Sequence, residues 1–142
     1  MRRYLLDTNI LSNVTKLVPS LALLDWMSAQ LDTDLYVSSF TIAEIARGIR
    51  EKPAGRKRRE LEQWFAGPEG PQALFAGRIL PFDLTAALVW ARLMSEGTAK
   101  GRPRSPLDMI IAAISEANDC ILVTDNEKHF ACIKAINPLR GS

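Results

Sequence analysis

Four acidic residues stand where apolar runs of the chain give way to polar sequence. Asp7 closes Tyr4-Leu5-Leu6, and Asp125 closes Ile121-Leu122-Val123-Thr124. Glu44 lies in Thr41-Ile42-Ala43-Glu44, shortly after Leu35-Tyr36-Val37-Ser38, and Asp108 lies in Ser105-Pro106-Leu107-Asp108. Neighbouring carboxylates repel and raise one another's pKa, so a fold gains nothing by gathering four of them without a counter-charge. A hard divalent cation, Mg2+ or Mn2+, is the natural counter-charge, because it prefers carboxylates, water and substrate phosphate. Such an ion polarises a phosphoryl oxygen and lowers the pKa of bound water, which is machinery for phosphodiester hydrolysis. Each acid taken singly has a structural reading as well. Thr41-x-x-Glu44 and Ser105-x-x-Asp108 have the form of capping boxes, the second with proline at its first helical position. Asp7 fits an Asx turn and Asp125 a helix cap.

The choice depends on what positions these side chains. The runs at 4–6, 35–38, 78–82 and 121–124 read as strands, with 133–136 as a fifth. Between them the apolar spacing predicts helices over 11–31, 41–49, 56–65, 84–96 and 106–118. In the first of these, Leu17, Leu21, Leu24 and Met27 form the apolar face. Strands alternate with helices and are continuously apolar, which points to a parallel sheet covered on both faces. The expected fold is α/β, a three-layer α/β/α sandwich with a central parallel sheet of about five strands in a single domain, 1–142. Ligands of such sheets bind outside the carboxyl ends of the strands, and there all four acids are expected.

Basic residues supply a second signal. Seven of the thirteen positions from Arg47 to Arg59 are basic, a pattern shared by solvated helix faces and polyanion-binding surfaces. Lys100, Arg102 and Arg104 lie on a Gly/Pro loop with no acid among them, just before Asp108. A flexible cationic loop beside a metal site suits a nucleic acid, whose phosphates dominate affinity. Trp26, Trp64 and Trp90 lie in apolar helical patterns and read as packing residues.

Composition narrows the field. The 142 residues are 47% hydrophobic and 24% charged, with a net charge of +2, as in an ordinary globular domain. One histidine and two cysteines are too few for a Cys/His zinc site or a two-histidine nuclease. Cys120 and Cys132 form no C-x-x-C pair and read as small apolar residues of a reducing cytosol. No run approaches the ~18 apolar residues of a membrane span, and Asp7 and Asn9 interrupt the N-terminal run too early for a signal peptide. A soluble, cytoplasmic protein without membrane contact is expected. His129 reads as a surface or helix-start residue. The P-loop, nucleophile-elbow and dinucleotide motifs are absent.

Four segments together resemble the PIN-domain proteins, and among them the VapC and FitB type of bacterial toxin. They are Leu5-Leu6-Asp7-Thr8-Asn9-Ile10-Leu11, the stretch from Val37 to Ile49, Pro106-Leu107-Asp108-Met109-Ile110-Ile111-Ala112-Ala113, and Leu122-Val123-Thr124-Asp125-Asn126-Glu127-Lys128-His129-Phe130. They occur in family order and span nearly the whole chain. The resemblance implies an α/β/α sandwich and a Mg2+- or Mn2+-dependent endoribonuclease with a cognate antitoxin and a homodimeric state. It implies that Asp7 and Asp108 hold the metal with Glu44 as a direct or water-mediated ligand, and that Thr8 and Asn9 support Asp7. At the fourth acidic position many relatives read Thr-Arg-Asn or Thr-Arg-Asp, whereas this chain reads Thr124-Asp125-Asn126. Its acid therefore takes the usual arginine place, and either Asp125 or Asn126 fills the fourth role. Hydrolysis by this route leaves a 5′-phosphate and a 3′-hydroxyl, with Lys100, Arg102 and Arg104 as RNA contacts. Two other classes compete. An aspartyl phosphatase would use Asp7 as nucleophile but needs a second aspartate where Asn9 stands. A non-catalytic binding module would use the acids only as caps.

Overall fold

The computed structural model describes residues 2–14 and 18–140. In chain order the elements are β1 (Tyr4–Leu6), α1 (Thr8–Val14), α2 (Leu21–Ser28), β2 (Leu35–Ser38), α3 (Ser39–Arg50), α4 (Arg56–Ala66) and α5 (Pro71–Leu74). There follow β3 (Ile79–Leu80), α6 (Leu84–Ala99), α7 (Pro106–Ala117), β4 (Ile121–Val123) and β5 (Ala135–Ile136). Among the described residues the strands form one sheet in the order β3-β2-β1-β4-β5, and every pairing is parallel. The expected α/β sandwich is therefore present.

Side chains alternate across a strand, and β1 and β4 use that alternation to divide the core in two. Leu5 and Leu122 pack under α6 and α7 with Leu93, Met109, Ile114 and Phe130. Tyr4, Leu6 and Val123 pack on the other face with Ile10, Leu11 and Leu23. The three strand residues of β1 are all buried, so a continuous apolar run is what this position requires.

The sequence-based boundaries fail in two instructive places. The helix expected over 11–31 is two helices, because Ser20 starts a new one: its hydroxyl accepts from the Leu23 N–H at 3.3 Å. Leu17 lies outside the described residues. The helix expected from Thr41 starts two residues earlier, because Ser38 is its cap and accepts from the Thr41 N–H at 2.9 Å. Glu44 consequently lies in the second turn, not the first. Among the described residues, no helix is long and apolar enough to cross a membrane.

The basic stretch around α3 and α4 is in part a solvated face. Arg47, Arg56 and Arg58 pair with Glu51, Glu60 and Glu62, each four residues on. Trp26 meets Tyr4 edge to face at 5.0 Å, and Trp90 donates to the Pro106 carbonyl, so both are packing residues as expected. Cys120 is a buried thiol whose pKa is pushed up to about 11 by its burial, and it is inert accordingly.

Gly70 joins α4 to α5 where the chain doubles back on itself. A Cβ there would lie against the Trp64 and Phe65 carbonyl oxygens, well inside contact distance. Backbone atoms cannot swing aside as a side chain can. Gly70→Ala is therefore expected to cost about 1–3 kcal/mol, read as a fall of several degrees in Tm by calorimetry.

Candidate active site

In this sheet the chain leaves β1 towards β2 on one side and returns to β4 on the other. The carboxyl ends of β1 and β4 therefore flank the point where strand order reverses, the usual ligand crevice of open α/β sheets. Asp7 stands there. Its N–H donates to the Val123 carbonyl at 2.9 Å, which continues the β1–β4 ladder by one residue and carries the carboxylate to the rim. Only 6% of Asp7 is exposed.

Two donors hold this carboxylate. Oδ1 accepts from the Thr8 N–H at 2.8 Å and Oδ2 from the Thr124 hydroxyl at 2.9 Å. Both favour ionisation, yet the pKa of Asp7 is raised from 3.8 to about 6. Burial is the largest cause, and the negative charges of Glu44 and Asp125 add to it. No ion pair reaches Asp7, Glu44 or Asp125 among the described residues.

Glu44 is held by a run of hydroxyls. Thr8 Oγ1 donates to Glu44 Oε1 at 2.5 Å, so it must accept from Thr41 Oγ1 at 3.0 Å. Thr41 in turn accepts from the Ser38 hydroxyl at 3.2 Å. Each hydroxyl has one proton, and each passes it towards Glu44. Thr41 thus spends its side chain on this chain of bonds and caps nothing, and the capping box expected for Thr41 and Glu44 does not form. Glu44 has no helix-capping task, which leaves its charge available to the crevice.

Ser105 does cap α7, its hydroxyl accepting from the Asp108 N–H at 3.3 Å. The Asp108 carboxylate turns away from the cap and faces His129 Nδ1 at 3.3 Å. Asp125 accepts from the Asn9 amide at 3.4 Å, and the short 3-10 turn that follows has Asn126 at its cap position. Asn126 takes its N–H to Thr124 Oγ1 at 3.1 Å and its side-chain amide to His129 Nδ1 at 2.8 Å. Asp125 therefore adjoins Asp7 electrostatically, whereas Asn126 adjoins Asp108 through His129.

Three of the residues that build this site escaped the sequence reading. Thr124 bridges Asp7 and Asn126, Thr41 relays to Thr8, and His129, exposed on its 3-10 turn as expected, also stands against Asp108. A signal existed for Thr124, since it ends a strand at the same edge as the acids. Arg104 needs correction in the other direction. Its guanidinium donates to the Leu93 carbonyl at 2.7 Å and lies 3.7 Å from Glu96. It is committed to holding the loop on α6 and is not a free RNA contact. Nor is that loop loosely hung. A Cβ on Gly97 would meet the Arg102 carbonyl at 3.0 Å and the Arg104 side chain at 2.9 Å, so loop and helix touch through the bare glycine.

The donor set suits a hard cation. It consists of carboxylates, hydroxyls and amides, with a buried, charge-crowded carboxylate at its centre. Among the described residues no three acidic, imidazole or thiol groups are gathered tightly enough to cage an ion unaided. Mg2+ rarely asks for that. It commonly takes one or two carboxylates and keeps several of its waters.

The comparisons agree with this geometry. The PIN domain family model matches residues 4–135, and the chain belongs to that family. Within it, the chain stands with the VapC and FitB toxins. A VapC ribonuclease of Sinorhizobium fredii is 36% identical over 135 residues, covering 94% of this chain and 95% of the relative. Toxin FitB of Neisseria gonorrhoeae is 32% identical over 136 residues, covering 94% and 96%. The crystal structure of FitAcB from Neisseria gonorrhoeae superposes with a TM-score of 0.87 at 30% identity, covering 95% of this chain and 97% of that one.

The raised pKa of Asp7 makes a prediction about stability. A carboxyl that binds its proton more tightly folded than unfolded favours the native state at low pH, and that contribution is lost as pH rises from about 4 to about 6. Asp7→Asn removes the charge and the loss with it. In metal-free buffer at pH 7.5 the variant is expected to melt above the wild type. The gap should close as pH falls towards 4. A wild type at least as stable as the variant at pH 7.5 would contradict the crowding of charge described above.

Proposed function

We propose that this protein is the toxin of a toxin–antitoxin pair, an endoribonuclease that hydrolyses RNA with Mg2+ or Mn2+ and is restrained by a cognate antitoxin in the cytoplasm. The observation that carries the reading is Asp7: a buried carboxylate beside Glu44 and Asp125 with no basic group paired to it among the described residues, in a chain whose relatives include a VapC ribonuclease and a FitB toxin. Neighbouring solved structures are toxin–antitoxin complexes, among them FitAB bound to a DNA fragment at 30% identity.

Asp7 and Asp108 would hold the ion, with Glu44 directly or through water, and Asp125 or Asn126 completing the rim. The cation supplies Lewis-acid polarisation of the scissile phosphate and acidifies water when bound. The chain's own part is positional. Thr124 and the Thr8 N–H fix both oxygens of Asp7, so the carboxylate presents its remaining lone pairs outward in one orientation. Thr8 fixes Glu44 in the same way from the opposite wall. Asn9 orients Asp125. Lys100 and Arg102, both exposed, would attract the RNA backbone. Leu84 and Leu88 lie one turn apart on α6 and are 75% and 65% exposed, an apolar stripe suited to a second copy of the chain in a homodimer.

The deciding experiment is cleavage of a defined RNA pool with and without Mg2+. Wild type is expected to cut only with the ion and to leave 5′-phosphates, and Asp7→Asn to fall to background while remaining folded. Thr124→Val, which keeps shape but loses the proton donated to Asp7, should lower activity roughly 10–100-fold and raise the Mn2+ needed for half-maximal rate. Undiminished cleavage by Asp7→Asn, freed of contaminating nucleases, would refute the assignment. For the dimer, Leu88→Glu should shift the sedimenting species to monomer.

A further inference from the structure

A cavity of about 600 Å3 opens beside Asp108, between the loop that follows α6 and the 3-10 turn that follows β4. Its charged lining is unequal. Lys100 and Arg102 come from the loop, Lys128 and His129 from the turn. Lys100, Arg102 and Lys128 are exposed and make no ion pair among the described residues. The acid on the opposite wall, Glu96, is already matched by Arg92 at 3.1 Å and by Arg104 at 3.7 Å. Three exposed cations thus line a space that Asp108 lines as well. The space is preformed, because the contact through Gly97 and the Arg104 bond to Leu93 hold the loop in place.

We propose that this cavity is a subsite for the RNA backbone next to the scissile bond, in which Lys100, Arg102, Lys128 and the His129 ring receive the phosphate of a flanking nucleotide. The proposal rests on the nuclease reading and sharpens it. The substrate must continue past Asp108 on the cavity side, and short products ending at the scissile phosphate lose these contacts. Lys128 and His129 join the substrate contacts, and Arg104 leaves them. An RNA strand is favoured over an acidic peptide because the cations line the same cavity as Asp108, beside which the scissile phosphate would sit.

The test separates binding from cleavage. Anisotropy of a fluorescein-labelled hexaribonucleotide is measured against the full chain in EDTA over a range of salt. The triple variant Lys100→Ala, Arg102→Ala, Lys128→Ala is compared with the control Arg50→Ala, Lys57→Ala, Arg59→Ala on α3 and α4. The cavity variant should lose roughly tenfold or more in affinity, since a single charge-assisted contact is already worth about that much. Its slope of log affinity on log salt should shrink by about 2, at about 0.7 per lost single-strand phosphate contact. A loss confined to the control set would overturn the proposal. So would an oligoglutamate of equal charge that binds as tightly as the RNA through the same three residues. Cleavage by wild type with Mn2+ and unchanged binding by the cavity variant would sink the subsite alone. Weakened binding by that variant with no cleavage by wild type would sink the nuclease, and with it the place beside a scissile bond, and leave only an RNA-binding cavity.

Discussion

The burial of one carboxylate at the seam between β1 and β4 is the constraint around which the rest of the crevice is arranged. An aspartate there forfeits hydration, and two hydrogen bonds restore only part of it. Among the described residues the surrounding structure adds no basic partner. It adds further negative charge from Glu44 and Asp125. Stability is given up at this point in exchange for a crevice of concentrated negative charge, and the two hydrophobic layers on either side of the sheet make the loss tolerable.

Hydroxyls do the work that basic residues do in most buried ionic clusters. Ser38, Thr41, Thr8 and Thr124 are uncharged, so they fix carboxylates without neutralising them. A lysine in any of these places would compete with a bound cation. The arrangement keeps geometry and charge separate: threonines set direction, and acids set the field.

Much of this was legible in the residues. Continuous apolar runs announced a parallel sheet, and the acids at their carboxyl ends announced the crevice, because strand ends in such sheets share one edge. The strands at 4–6 and 35–38 fall where expected. What failed did so where a short-range rule met a longer-range partner. Thr41-x-x-Glu44 matches a capping box, but Ser38 took the cap and Thr8, 36 residues from Glu44 in sequence, took the glutamate. Arg104 looked like its neighbours Lys100 and Arg102, and only the fold shows that a carbonyl of α6 claims it. The contact of His129 with Asp108 had no local signal, since Asp108 comes from another helix.

The hydrogen bond between Thr124 and Asp7 spans 117 residues. The strand that carries Asp7 is thus completed by one more than a hundred residues further on, and Asp7 has neither its β4 neighbour nor its threonine until that later segment arrives. During synthesis Asp7 and Glu44 emerge within the first hundred residues, before Asp108, β4 and Asp125, and the crevice does not yet exist. The order of the strands therefore acts as a delay, and the crevice forms only once β4 is added beside β1.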